Sequence, residues 1–68
     1  MTGTVVRVIV DKNFGFIRGE DGNEYFFHKS AIMHDVDFTQ NLKDQKAEFN
    51  GLETEKGLRA EEVYLGDS

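Results

Sequence analysis

KNFGFI at Lys12–Ile17 is followed, eight residues later, by YFFHKSAI at Tyr25–Ile32. Aromatic and β-branched side chains at this density favour extended backbone. Between the two segments lies Asp21-Gly22, a dipeptide typical of tight hairpin turns. The sequence therefore predicts two strands, Phe14–Arg18 and Glu24–His28, joined as a β-hairpin.

The segment before this hairpin is a third strand candidate. Val5–Val10 is β-branched apart from Arg7, and a turn candidate at residues 11–13 separates it from the hairpin. Three closely spaced strands form a meander, the usual beginning of a β-barrel or a β-sandwich.

The second half of the chain has weaker patterns. Met33–Gln45 is polar and irregular, and a helix at Phe38–Phe49 would have a poor apolar face. Lys46–Leu52 alternates passably, as a strand should. Leu58–Leu65 fits a strand or a weakly amphipathic helix, and periodicity leaves both open.

Length and composition limit the possible architectures. The chain has 68 residues, which predicts a single domain over residues 1–68 with a small core. There is no cysteine, so packing and backbone pairing must supply the stability. The N-terminus has no signal-peptide pattern and no apolar run approaches membrane-spanning length. We expect a soluble, cytoplasmic monomer without a membrane partner.

The net charge of −5 is unevenly distributed along the sequence. Residues 1–30 carry four basic and four acidic side chains, whereas residues 31–68 carry four basic and nine acidic ones. The aromatic half is therefore neutral and the other half acidic. Such a balance limits affinity that depends on phosphate contacts but permits binding by stacking.

Strand alternation divides the aromatic side chains of the hairpin into two faces. Ile17, Tyr25 and Phe27 share one face. The other face has the polar neighbours Lys12, Arg18 and Glu24. All the rings could be core, but these neighbours favour exposure of the second face. We call its ring-bearing residues the platform: Phe14, Phe16, Phe26 and His28.

An exposed aromatic platform beside scattered cations is what unpaired bases stack on. Gly15, between two of the platform rings, would keep the backbone flat enough for a base to lie close. The sequence therefore indicates binding of single-stranded nucleic acid.

Several motifs resemble the cold-shock domain of bacterial cold-shock proteins. They are Gly3-Thr4-Val5, Lys12–Ile17, Asp21-Gly22, Phe26–Ile32 and the spacing of Lys56-Gly57, Ala60 and Val63. The resemblance covers nearly the whole chain. The RNA-recognition motif shares a similar aromatic segment, but there the second motif lies upstream and two amphipathic helices are required.

The resemblance implies an all-β, five-stranded antiparallel OB-type barrel. Its fourth and fifth strands would be Lys46–Leu52 and Leu58–Tyr64, with Met33–Gln45 as a long loop. It also implies binding of single-stranded RNA or DNA, as an RNA chaperone or a regulator of transcription or translation. No cofactor is implied.

The resemblance assigns the platform rings to base stacking and Phe38 to capping a base from a loop. It assigns Lys12 and Lys56 to basic positions near the path of the bound nucleic-acid strand. The sequence also departs from the family pattern. Val6, Arg7 and Val8 stand for Lys-Trp-Phe, and Lys29 stands for a phenylalanine. Asn13 stands for a glycine, and asparagine tolerates the left-handed backbone region better than most residues. The predicted nucleic-acid-binding residues are Arg7, Lys12, Phe14, Phe16, Phe26, His28, Lys29, Phe38 and Lys56.

Other chemistries have weaker support. His28 and His34 lie six residues apart near Asp35 and Asp37, but two isolated histidines hold a metal poorly, so we expect no metal site. The sequence shows no nucleophile accompanied by a general base and an orienting acid, so we expect that the protein is not an enzyme. A barrel that binds a polypeptide instead of nucleic acid remains the alternative, because the chain is acidic and lacks the tryptophan of the family pattern.

Overall fold

The computed structural model describes residues 1–66, which form five β-strands and short 3-10 turns without an α-helix. Within that range, no helix is long and apolar enough to cross a membrane. The strands are β1 (Thr2–Ile9), β2 (Phe14–Gly19), β3 (Glu24–His28), β4 (Lys46–Thr54) and β5 (Gly57–Leu65).

The five strands close into a barrel in the order β1-β2-β3-β5-β4. The predicted all-β, OB-type barrel is confirmed, but its sheet is mixed, because β3 and β5 run parallel where Phe26 pairs with Arg59. Strand directions cannot alternate all the way round a ring of five strands. At least one neighbouring pair must be parallel, so a purely antiparallel closed barrel was not possible.

The predicted strands agree with the observed ones to within three residues at each end. β5 is a strand rather than a helix. The helix with a poor apolar face at Phe38–Phe49 does not form; Met33–Gln45 is a long loop, as the resemblance implies, with the 3-10 turn Gln40–Leu42 before β4 begins. Asn13 adopts the left-handed conformation, with φ of 60°, as expected of the turn after β1.

The interior of the barrel is filled by one face of each strand. Ile17, Tyr25 and Phe27 are all buried, so the predicted inner face of the hairpin is confirmed. The loop between β3 and β4 adds Phe38 and Leu42 to the same cluster. The largest fully buried side chains are those of Phe27, Phe49, Ile17, Val5 and Val63.

The turn between β2 and β3 is held by one carboxylate. The Tyr25 hydroxyl donates a hydrogen bond to Oδ2 of Asp21 at 2.6 Å, and the backbone N–H of Asn23 donates to Oδ1 at 3.1 Å. These two hydrogen bonds hold the pKa of Asp21 below its ordinary value of 3.8. The same hydroxyl–carboxylate bond, together with burial, raises the pKa of Tyr25 above 10.0.

This pair predicts how stability depends on pH. A lowered carboxyl pKa stabilises the fold above pH 3.8, and the contribution is lost as pH falls through the folded-state value. A raised tyrosine pKa stabilises it below pH 10.0, and that contribution is lost as pH rises. We expect Tyr25→Phe to destabilise the protein at neutral pH and to match wild type more closely below about pH 4.

Urea denaturation across this pH range measures the difference between the two proteins. Tyr64→Phe, which removes an exposed hydroxyl, is the matched control and should change stability little at any pH. A Tyr25→Phe difference that is the same at pH 3 and pH 7 would contradict a role for the charged Asp21.

Candidate functional site

The predicted platform lies on the outer face of the hairpin. Phe14 pairs with His28, and Phe16 pairs with Phe26, across β2 and β3. Because side chains alternate along each strand, all four point away from the side that holds Phe27. Each of the four is half-buried, so they form a surface rather than a core.

The three phenylalanine rings of the platform contact one another. The Phe14 and Phe26 ring centroids lie 5.2 Å apart, and Phe16 lies 6.0 Å from each of them. The two contacts of Phe16 are edge-to-face, an arrangement that aromatic pairs prefer. The rings therefore hold one another in position before any ligand arrives.

Gly15 has a different role from the one expected. It is buried and lies on the inner side of β2, beneath the platform. A Cβ at this position would stand 2.5 Å from the Arg7 carbonyl oxygen and 2.9 Å from Cε1 of Phe27. The glycine therefore makes room for the Phe27 ring and the neighbouring strand, and it does not open the surface to a base.

A β-bulge brings Arg7 to the platform. Val5 pairs with Ile17, but the next pair is Arg7 with Phe16, so Val6 is an extra residue in β1. Without it, strict alternation from the buried Val5 would turn Arg7 inward. With it, Arg7 is exposed and its Cζ lies 5.7 Å from the centroid of the Phe16 ring.

Arg59 reaches the platform from the opposite side, and the sequence did not reveal this. Its Cζ lies 5.9 Å from the centroid of the Phe26 ring, and its Nε donates to Glu61 at 2.6 Å. The parallel pairing of β3 with β5 places Arg59 beside Phe26. No local pattern specifies such a pairing between strands about thirty residues apart, so only the barrel revealed this residue.

His28 closes the end of the platform in a defined orientation. The backbone N–H of Ser30 donates to His28 Nδ1 at 3.0 Å, so this nitrogen is an acceptor. The ring proton of the neutral imidazole is therefore on Nε2. The same hydrogen bond caps the 3-10 turn that follows β3.

The predicted lysines lie at both ends of the platform. Lys12 and Lys29 are exposed in the two turns beside Phe14 and His28, and those turns are joined by the Lys29 N–H donating to the Asn13 carbonyl at 2.8 Å. Lys56, in the turn between β4 and β5, lines a groove that also contains Phe16 and Phe26.

Phe38 does not join the other predicted site residues. It is 8% exposed and packs against Phe27, with ring centroids 6.2 Å apart. The loop between β3 and β4 carries it into the core cluster, together with Leu42. Capping a base with Phe38 stays a prediction that requires this ring to leave the core.

Carboxylates partly offset the cations around the platform. Arg18 pairs with Glu24 at 3.6 Å, and Arg59 pairs with Glu61, both pairs being exposed. Among residues 1–66 no other ion pair forms, so Arg7 and the lysines keep their charges for a ligand. No group of three or more metal-ligating side chains occurs in that range.

Comparisons with known proteins agree with this geometry. The 'Cold-shock' DNA-binding domain family matches residues 1–65. The chain is 43% identical to cold shock protein 1 of Lactiplantibacillus plantarum, over 90% of this chain and 91% of that protein. It is 40% identical to the cold shock-like protein CspLB of Listeria monocytogenes, over 91% and 92% of the two chains. It is 39% identical to the cold shock protein CapB of Pseudomonas syringae pv. tomato, over 94% and 91%.

Proposed function

This chain belongs to the 'Cold-shock' DNA-binding domain family, and on that premise we propose that it binds single-stranded RNA or DNA through the platform. The observation that carries the proposal is the outward-facing cluster of Phe14, Phe16 and Phe26, whose rings hold one another in place. Two guanidinium groups, those of Arg7 and Arg59, lie against two of these rings.

Binding of this kind is passive. Each base that stacks on an aromatic ring contributes about 1–3 kcal/mol, so three or four bases give roughly 3–12 kcal/mol. The free-energy cost of ordering the nucleic-acid strand is then subtracted from this sum. Because the rings are already fixed, little side-chain entropy is lost. The expected dissociation constant is micromolar or weaker.

The two arginines enter this mechanism directly. In the free protein the guanidinium groups occupy the neighbourhood of the Phe16 and Phe26 rings. A base reaching those rings stacks on a guanidinium plane or displaces it towards a phosphate, and arginine supports both contacts. Arg7 thereby replaces part of the surface that the family's tryptophan supplies.

Weak and sequence-tolerant stacking suits a protein that keeps RNA single-stranded without trapping it. We therefore propose a role as an RNA chaperone or as a regulator of transcription or translation. The role requires no catalysis, only occupancy of exposed bases.

A titration with a short pyrimidine oligonucleotide tests the proposed function. Amide chemical shifts of Phe14, Phe16, Phe26 and His28 should move together as the oligonucleotide is added. Shifts that stay constant at millimolar oligonucleotide would overturn the proposal and favour a polypeptide as the ligand of this surface.

The salt dependence of binding predicts the role of Arg7. Each phosphate contact to a single strand contributes about −0.7 to the slope of log K against log salt concentration. We expect Arg7→Gln to weaken binding and to flatten this slope by about 0.7. Lys43→Gln removes an equal charge outside the platform and is the control. An unchanged slope in Arg7→Gln would mean that Arg7 contacts no phosphate.

A further inference from the structure

A second aromatic pair, His34 and Tyr64, lies outside the platform. Their rings are nearly parallel, with an interplanar angle of 16° and centroids 6.3 Å apart. Both residues are exposed, and Tyr64 retains 49% of its accessible surface. Val63 and Leu65 on either side of it are buried, so the Tyr64 ring faces outward from β5.

Backbone contacts hold this pair in place. The Leu65 N–H donates to Nε2 of His34 at 2.9 Å, in a partly buried hydrogen bond. One residue earlier, the Met33 N–H donates to the Val63 carbonyl at 2.8 Å. The loop is therefore tied to β5 where the rings meet. A ligand that stacks there does not first have to order the side chains.

The aromatic pair is continuous with the platform. His34 lines a cleft that also contains His28, Lys29, Ser30 and Ile32, and the Tyr64 ring lies beside His34. Along β5, Tyr64 follows Arg59 by five residues, a separation of about 16 Å at the usual strand rise. A single nucleic-acid strand lying on the platform can therefore extend along the cleft to His34, where the Tyr64 ring lies alongside.

The charges near the pair do not favour phosphates. Lys29 and Asp35 both line the cleft, and Tyr64 pairs across the sheet with Glu48, whose strand also carries Lys46. Basic groups near the pair are thus accompanied by acidic ones, and β5 adds Glu61 and Glu62 just before Tyr64. Any affinity gained here must come mainly from stacking on the rings and should depend little on salt.

We propose that the His34–Tyr64 pair is an additional stacking subsite for one base of the strand that occupies the platform. The proposal rests on the proposed function, because the strand must first be held by the platform rings. A nucleic acid is favoured over a polypeptide here because the cleft joins this pair to the platform.

Oligonucleotides of two lengths test the subsite. One of about four nucleotides covers the platform alone, and one of about eight also reaches the pair. Wild type should bind the longer one at least about fivefold more tightly than Tyr64→Thr does, and the two proteins should bind the shorter one equally. Tyr64→Phe keeps the ring and should match wild type at both lengths. A longer oligonucleotide can also bind the platform in more registers, but this statistical gain in affinity is the same in all three proteins.

Tyrosine fluorescence gives an independent readout, because the chain has no tryptophan and only two tyrosines. Tyr25 is buried, whereas Tyr64 is exposed. The longer oligonucleotide should quench wild-type emission more than the shorter one does. In Tyr64→Phe this additional quenching should disappear although the affinity is retained.

The outcomes separate the two proposals. If neither oligonucleotide binds wild type, the proposed function fails. If both bind wild type, but Tyr64→Thr binds the longer oligonucleotide as tightly as wild type does and no additional quenching occurs, the subsite is overturned. The proposed function of the platform then stands. Equal quenching by both lengths would also overturn the subsite.

Discussion

Phe27→Ala is expected to lower the free energy of unfolding by about 3–5 kcal/mol, because Phe27 is fully buried in the barrel core. A domain of 68 residues has a total stability of roughly 3–10 kcal/mol. This one substitution therefore removes a large part of that stability, and a substantial unfolded population at room temperature is the expected result. Urea denaturation followed by far-ultraviolet circular dichroism measures the change.

The neighbouring residue provides the matched control. Phe26 is the same residue type in the same strand, but its side chain is on the outer face and half-buried. Phe26→Ala loses ring–ring contacts worth roughly 0.5–1.5 kcal/mol and should stay folded. Equal destabilisation by the two substitutions would show that the outer rings are part of the core, and the platform would then be wrong as a binding surface.

The double variant Phe16→Ala/Phe26→Ala is expected to weaken binding of a short single strand by about 2–6 kcal/mol, or roughly 30-fold to 20,000-fold. It removes two stacking rings and also the surfaces against which Arg7 and Arg59 lie. Because the two rings contact each other, the effect need not equal the sum of the single substitutions.

This second prediction is checked by fluorescence anisotropy with a labelled oligonucleotide of about four nucleotides. Met33→Ala, which shortens an exposed apolar side chain outside the platform, should bind as wild type does. The double variant must retain the circular dichroism spectrum of the wild type for the comparison to hold. A loss smaller than about threefold in a folded double variant would contradict stacking as the main source of affinity.

These two predictions separate fold from function along a single strand. Phe27 faces inward and is expected to set stability, whereas Phe26 faces outward and is proposed to set affinity. The separation is possible because adjacent side chains in a strand point to opposite faces. The hairpin thus carries both the centre of the core and the proposed binding surface.

The local sequence specified much of this arrangement. Strand alternation and the Asp21-Gly22 turn were sufficient to predict the hairpin and the membership of its two faces. Asn13 stands where the resemblance implies a glycine, and the left-handed conformation that asparagine tolerates is the one observed. The resemblance to cold-shock domains then decided the strand character of β4 and β5, which periodicity left open.

Contacts between distant segments decided the rest. The bulge at Val6 turns Arg7 outward, the β3–β5 pairing places Arg59 against Phe26, and the loop between β3 and β4 buries Phe38 in the core. The same closure places His34 beside Tyr64. Alternation depends only on neighbouring residues and is readable from sequence, whereas bulges, strand order and loop burial depend on which distant surfaces must be covered when the barrel closes.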